Sequence, residues 1–315
     1  MSTLTHQAFF YGSRDEFLAA MVPFVREGLE GEETVFAAAK RTNLDALRNE
    51  LGTDARLVDC RDANDWYRNP HATLDAYRRY LDEHRNGKPV RVIGEPVWPT
   101  SRAAVREWAR YESVINTVLG HANAMIVCPY DTTTLPDDIL DHAAVAHPEV
   151  VVNGSAEPST SFTAPHEFPL TLPLPARPEH SLEFELQNAE AVYGFRRAVT
   201  ARALEAGVPS ERVQDLALAA SEIAHNALQH GRPPAHAYMG IQDDEFVCQL
   251  LDYGEGVLDP LAGWTMPGPA SVRGRGLALA RRLCDAVEIV RHDRQTVVSL
   301  HMTLPGEADR EPDPS

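Results

Sequence analysis

From Gln7 to about Val152, short apolar runs alternate with amphipathic stretches. The runs are Phe9-Phe10-Tyr11, Thr34-Val35-Phe36-Ala37, Arg56-Leu57-Val58-Asp59, Val90-Arg91-Val92-Ile93 and Ala124-Met125-Ile126-Val127. Their length and near-continuous apolar character suit strands buried on both faces. Between them, segments around 14–29, 42–51, 71–85, 102–119 and 136–146 read as amphipathic helices. This alternation predicts an α/β domain over residues 1–152, a parallel sheet covered on both sides.

The pattern breaks at Asn153. Residues 153–180 begin Asn-Gly-Ser-Ala-Glu and carry prolines at 158, 165, 169, 173, 175 and 178. Proline lacks an amide donor and fixes φ, so an extended linker is expected here rather than a central strand or helix. A second domain follows at 181–305. The alternating Leu182-Glu183-Phe184-Glu185-Leu186 reads as a strand, and two helices around 189–206 and 210–229 follow, with Ser210 as the N-cap of the second. Strands around 236–242 and 245–252, a helix around 275–285, and strands around 286–291 and 296–303 complete an α+β two-layer sandwich. The tail, 306–315, is expected to be disordered.

Composition narrows the function classes. The chain has 315 residues and is 43% hydrophobic, ample for two packed cores. No apolar run has the length of a membrane span, and the opening MSTLTHQAFFYG lacks a signal-peptide pattern, so a cytoplasmic location with no membrane contact is expected. A formal charge of −17 opposes direct contact with nucleic acid. Cys60, Cys128, Cys248 and Cys284 are scattered without CxxC spacing and read as small apolar residues, not a metal site or disulfide frame.

The chemistry gathers in the second domain. On the helix at 210–229, Val213, Leu216, Ala217, Ala220, Ile223, Ala224, Ala227 and Leu228 form an apolar stripe, with Asp215, Ala219, Glu222 and Asn226 on an adjacent face. Glu222 and Asn226 are four apart and project from neighbouring turns. A carboxylate there can take a hydroxyl proton, and an amide oxygen can ligate Mg²⁺. Asp252 ends an apolar strand, where a carboxylate can accept from the exocyclic amine of adenine. Gly254 and Gly256 then permit close backbone approach and positive φ. Gly274 and Gly276 open a helix carrying Leu277, whose free amides suit phosphate, with Arg273 and Arg275 beside them. The stretch 253–272 between these elements reads as a mobile lid.

In this order the three pieces, Ser221-Glu222-Ile223-Ala224-His225-Asn226-Ala227, Asp252-Tyr253-Gly254-Glu255-Gly256 and Arg273-Gly274-Arg275-Gly276, resemble the N, G1 and G2 boxes of the Bergerat-fold ATPases. The compact form is most similar to anti-sigma-factor serine kinases. That resemblance implies ATP and Mg²⁺ as cofactors, with Glu222 as catalytic base and Asn226 as the Mg²⁺ ligand. It also implies Asp252 as adenine reader, with Gly254, Gly256, Arg273, Gly274, Gly276, Leu277 and Thr296 lining the nucleotide. The family often has Gly-Thr before its last strand, where this chain reads Arg294-Gln295-Thr296. The implied partners are an anti-sigma-antagonist protein and a sigma factor.

The first domain has no phosphate-binding Gly-x-x-x-x-Gly-Lys loop. Its Phe10-Tyr11-Gly12, Glu16-Phe17-Leu18, Asp65-Trp66-Tyr67, Gly94-Glu95-Pro96-Val97-Trp98, Tyr111-Glu112 and Cys128-Pro129-Tyr130-Asp131 are similar to the MEDS sensory domain. That implies a degenerate RecA-like sheet sensing a small molecule. Strand-end positions Asp59, Glu95 and Asp131, with Trp66 and Trp98, suit a ligand crevice or simply packing. None of His142, His147, His166, His180, His225 and His230 sits in a transmitter-type dimerising helix pair, and each reads as a surface or partly buried imidazole. The expected function is a sensor-coupled serine/threonine kinase. An ATP-switched binding module without transfer, an atypical histidine kinase and a homodimeric state stay open.

Overall fold

The structure is a computed structural model that describes residues 4–84, 87–152, 154–165, 175–254, 259, 261–265, 275–292 and 295–305. Contacts divide the chain into two compact units, one holding residues 1–100 and 108–168, the other 101–107 and 169 onward. Among the described residues, no helix is long and apolar enough to cross a membrane.

The front unit runs β1 (Thr5–Tyr11), α1 (Arg14–Glu30), β2 (Thr34–Ala39), α2 (Arg41–Leu51), β3 (Val58–Asp62), α3 (Ala63–Trp66), α4 (Pro70–Glu83) and β4 (Val90–Gly94). It continues through α5 (Arg102–Val118), of which 108–118 belong to this unit, then β5 (Ala124–Asp131), α6 (Asp137–Ala146), β6 (Glu149–Val152) and β7 (Ser155–Pro158). The sheet order is β3-β2-β4-β5-β1-β6-β7, parallel throughout except for the final β6–β7 pair. Along β1, β2, β4 and β5, most successive residues are buried on both faces. Val35, Ala37, Ile93 and Val127 pack with Phe17, Met21 and Leu47 of α1 and α2, while Phe36 faces Tyr77 and Tyr80 of α4. Such two-sided covering is what near-continuous apolar strands require. Ser13 caps α1 by accepting from the Glu16 amide, and the Glu16 carboxylate accepts in return from the Gly12 amide.

Two expectations need correction here. Arg56 and Leu57 lie in a 3₁₀ turn, Gly52–Leu57, and Leu57 is 61% exposed, so the strand starts at Val58. The stretch read as linker opens with β7, whose Pro158 sits at the end of an edge strand, where a missing amide donor is tolerated. Asn153, the middle of that stretch (166–174) and the tail (306–315) lie outside the described residues.

The rear unit contains β8 (Leu182–Leu186), α7 (Ala191–Ala206), α8 (Ser210–His230), β9 (Ala235–Gln242), β10 (Glu245–Asp252), α9 (Arg275–Leu283), β11 (Ala286–His292) and β12 (Gln295–Thr303). Its sheet, ordered β11-β12-β10-β9-β8, is antiparallel throughout. Phe195, Leu216, Ala220 and Ile223 of the helices pack on Met239, Phe246, Cys248, Leu250 and Leu300 of the sheet. The two units are therefore an α/β domain and an α+β sandwich, as their apolar patterns predict. Ser210 is not the cap of α8: Pro209 holds that place, its carbonyl accepting from the Arg212 and Val213 amides, with no side-chain cap bond.

Candidate functional site

α8 carries the acid and the amide. Its apolar stripe faces the sheet, leaving Glu222 and Asn226 partly buried on the flank that meets α9. Ala219, placed by spacing beside Glu222, is instead fully buried in the core. α7 and α9 both pack against α8, which widens its buried arc beyond one stripe. The second residue of α9 is Gly276. A Cβ there would lie 2.8 Å from Glu222 Oε2, 3.2 Å from Glu222 Cβ and 3.4 Å from Asn226 Nδ2. Three predicted site residues on two helices thus meet at one point.

Asp252 ends β10 and pairs in register with Thr296 of β12. Its Oδ1 accepts from the Gly254 amide at 2.8 Å, which leaves Oδ2 to accept from elsewhere. Burial raises the Asp252 pKa, opposed by the Gly254 hydrogen bond and by His230. Gly254 does not have the positive φ expected of it. Glycine is required there because a Cβ would sit 2.5 Å from the His230 carbonyl oxygen and 2.6 Å from Gly231 Cα, at the end of α8. Thr296 is 2% exposed, and its hydroxyl has no hydrogen-bond partner among the described residues.

These elements enclose a cavity of about 380 Å³. Asn226, Asp252, Leu277 and Thr296 line it, together with apolar Ile223, Leu250 and Val298. Glu222 stands beside it against Gly276, and Gly254 lies behind Asp252. Gly256, Arg273 and Gly274 lie outside the described residues, as do 255–258, 260 and 266–272 of the expected lid. Within that lid Trp264 is 1% exposed, with the Arg281 guanidinium 5.0 Å from its ring centre, so this position is a packed anchor. Sequence reasoning missed His230, Asp259, Leu261, Gly263 and Thr265 as lining residues. His230 was findable, since it follows Asn226 by four positions on the same helix. Gly263 needs its φ of +80°, and a Cβ there would meet Leu277 Cγ at 2.8 Å.

The donor set fits a purine nucleotide. The apolar lining of Ile223, Leu250 and Val298 suits a heteroaromatic ring, and the Asp252 carboxylate and the Thr296 hydroxyl suit its polar edge. Gly276, with no side chain beside Glu222 and Asn226, leaves room for phosphates at the start of a helix of nine residues.

Comparison with known proteins agrees with this reading at the level of domains. Residues 5–148 match the MEDS family, described as the MEthanogen/methylotroph, DcmR Sensory domain. Residues 186–302 match the family described as the histidine kinase-like ATPase domain. No curated protein matches the chain. A similar solved structure is that of the RsbU and RsbW domains of a Mycobacterium tuberculosis protein, at 20% identity and a TM-score of 0.31 over 40% of this chain. The match spans 33% of that protein's own chain. An ATPase domain of this kind implies ATP binding, and the chain joins a MEDS sensory domain to a histidine kinase-like ATPase domain.

Proposed function

We propose that the chain is a sensor-coupled protein kinase of the anti-sigma-factor type. A small molecule bound by the front unit controls transfer of phosphate from ATP to a serine or threonine of an anti-sigma-antagonist protein. The observation that carries the reading is the meeting of Glu222 and Asn226 at Gly276, beside a cavity lined by Asp252 and Thr296. A pure nucleotide switch needs the cavity but has no need of a carboxylate beside the phosphate end.

Asp252 holds the adenine amine through Oδ2, its Oδ1 being fixed by Gly254. Thr296, directly across the ladder from Asp252, offers its hydroxyl to the same ring. Asn226 supplies the neutral oxygen ligand for Mg²⁺, which when bound neutralises phosphate charge. Glu222 receives the proton of the attacking hydroxyl, and the amides at the start of α9 support the phosphate oxygens.

The test is capture of binding proteins on the full chain, then incubation with γ-radiolabelled ATP. Acid-stable label on a serine or threonine of a captured protein is expected. Acid-labile label on a histidine points instead to a histidine kinase, and no label at all to an ATP-switched binding module.

A further inference from the structure

Among the described residues, four side chains with metal-binding chemistry converge inside the front unit. The ligand atoms of His6, Glu112, Cys128 and His147 all lie within 4.8 Å of one another. They come from β1, α5, β5 and the residue after α6. β1 and β5 are parallel neighbours with Ala8 opposite Cys128 and His6 opposite Ile126, so His6 and Cys128 are diagonal neighbours on one face. All four are buried, His147 completely. The expectation that His147 is a surface or partly buried imidazole does not hold.

The distances have the scale of a coordination shell. Cys128 Sγ is 3.5 Å from His6 Nε2 and 3.9 Å from Glu112 Oε2. Glu112 Oε2 is 3.7 Å from His6 Nε2 and 3.6 Å from His147 Nε2. Bonds of about 2.1 Å to nitrogen and oxygen and about 2.3 Å to sulfur give tetrahedral edges of about 3.4–3.6 Å. The nitrogen–oxygen separations are too long for hydrogen bonds. Among the described residues His147 Nε2 has no hydrogen-bond partner although it is buried.

The ring orientations are fixed from behind. His147 Nδ1 lies 2.7 Å from the Ala143 carbonyl, which can only accept, so Nδ1 carries the hydrogen and Nε2 keeps its lone pair. Asn116 donates its amide to the carbonyls of Ser113 and Ala146, which leaves its Oδ1 to accept from His6 Nδ1 at 3.0 Å. Both imidazoles therefore present a bare Nε2 to the cluster, each held by the outer hydrogen bond that metal-binding histidines typically make. The surroundings are aromatic: the Tyr130 ring centre is 5.7 Å from that of His147, and the Tyr67 and Tyr77 hydroxyls crowd Gly94 beside Cys128.

We propose that His6, Glu112, Cys128 and His147 bind one divalent first-row transition metal, zinc or ferrous iron, in a tetrahedral site within the front unit. Two neutral imidazoles, a thiolate and a carboxylate balance a doubly charged cation, so the loaded site carries no net charge into the interior. The sulfur and the paired imidazoles select against magnesium and calcium. Four protein ligands with no open position make the site a clamp, joining β1, α5, β5 and α6.

Tag-free full-length chain, stripped with a chelator under reducing conditions, is to be titrated with Co²⁺. One equivalent is expected to give the intense visible bands of tetrahedral cobalt and a near-ultraviolet thiolate-to-cobalt band, both displaced by Zn²⁺. Cobalt at an oxygen-ligated magnesium site gives neither. Elemental analysis of the chain as purified separates zinc from iron. Cys128→Ser is expected to abolish the thiolate band and Cys248→Ser to preserve it, with folding checked by circular dichroism. Asn116→Ala, which removes the acceptor that holds the His6 ring together with the bonds to the Ser113 and Ala146 carbonyls, is expected to weaken cobalt affinity by about 10–100-fold. Absence of a tetrahedral spectrum in the wild-type chain overturns the proposal whatever the variants do. So does a thiolate band that survives in folded Cys128→Ser.

Discussion

At Gly276 a single added methyl group would meet the Glu222 carboxylate at 2.8 Å and the Asn226 amide at 3.4 Å. Gly276→Ala is therefore expected to displace both side chains and to lower ATP affinity and phosphoryl transfer together. Thermal stability should change little, because the gain of about 0.5–1 kcal/mol that alanine makes over glycine in a helix is offset by the close contact with Glu222. A fall in melting temperature matching the fall in activity would instead mark Gly276 as a packing residue. Glu222→Gln keeps volume but removes the base, so transfer is expected to drop by about 10²–10⁴-fold while ATP binding persists. Unchanged transfer would remove the base role. His301 illustrates a structural charge in the same unit. Burial alone would lower its pKa, but the hydrogen bond to Glu245 and the Glu288 carboxylate 3.5 Å away lift it to about 9. A histidine whose folded pKa is raised stabilises fully below its unfolded value near 6.5 and loses that contribution as pH rises through about 9. The stability difference between wild type and His301→Gln is thus expected to shrink between neutrality and pH 9, read by denaturant melts. A constant difference would contradict the charged assignment.

Among the elements, α8 both carries the site and anchors the rear core. Leu216, fully buried at its centre, is expected to cost about 2–5 kcal/mol on Leu216→Ala, measured by urea unfolding of the chain. A loss below 1 kcal/mol would show that the helix is less firmly packed than its burial indicates. Most elements were legible in the apolar pattern, because each strand is either two-sided and apolar or alternating, and each helix shows a stripe. The exceptions have local causes. Leu57 is apolar yet exposed in a tight turn. Ser210 yields the cap to Pro209, whose fixed φ already suits it. Ala219 is buried because α7 and α9 flank α8, which the periodicity of one helix cannot reveal. β7 carries no apolar signal at all, being exposed along its whole length.

For the whole molecule, the two units have separate sheets and separate cores. The fragment 181–305 is expected to fold alone and to bind Mg-ATP as tightly as the full chain, compared by thermal melting and nucleotide titration. An insoluble or nucleotide-blind fragment would show that 181–305 cannot hold its core without residues 101–107 of the same unit. Distance along the chain also governed which chemistry could be read. The residues proposed for the ATP site lie in short motifs, and register and helix packing bring Asp252 to Thr296 and Gly276 to Glu222. The His6, Glu112, Cys128 and His147 cluster was not legible, since its members come from four separate elements and no pair has a recognisable spacing. The proposed function depends above all on the rear cavity being the ATP pocket. Calorimetric titration of the full chain with Mg-ATP, wild type against Asp252→Asn, tests it most directly. Stoichiometric binding, weakened by about 1–3 kcal/mol in the variant, is the expected result. Equal affinity in the two proteins, or no binding by the wild type, would contradict it.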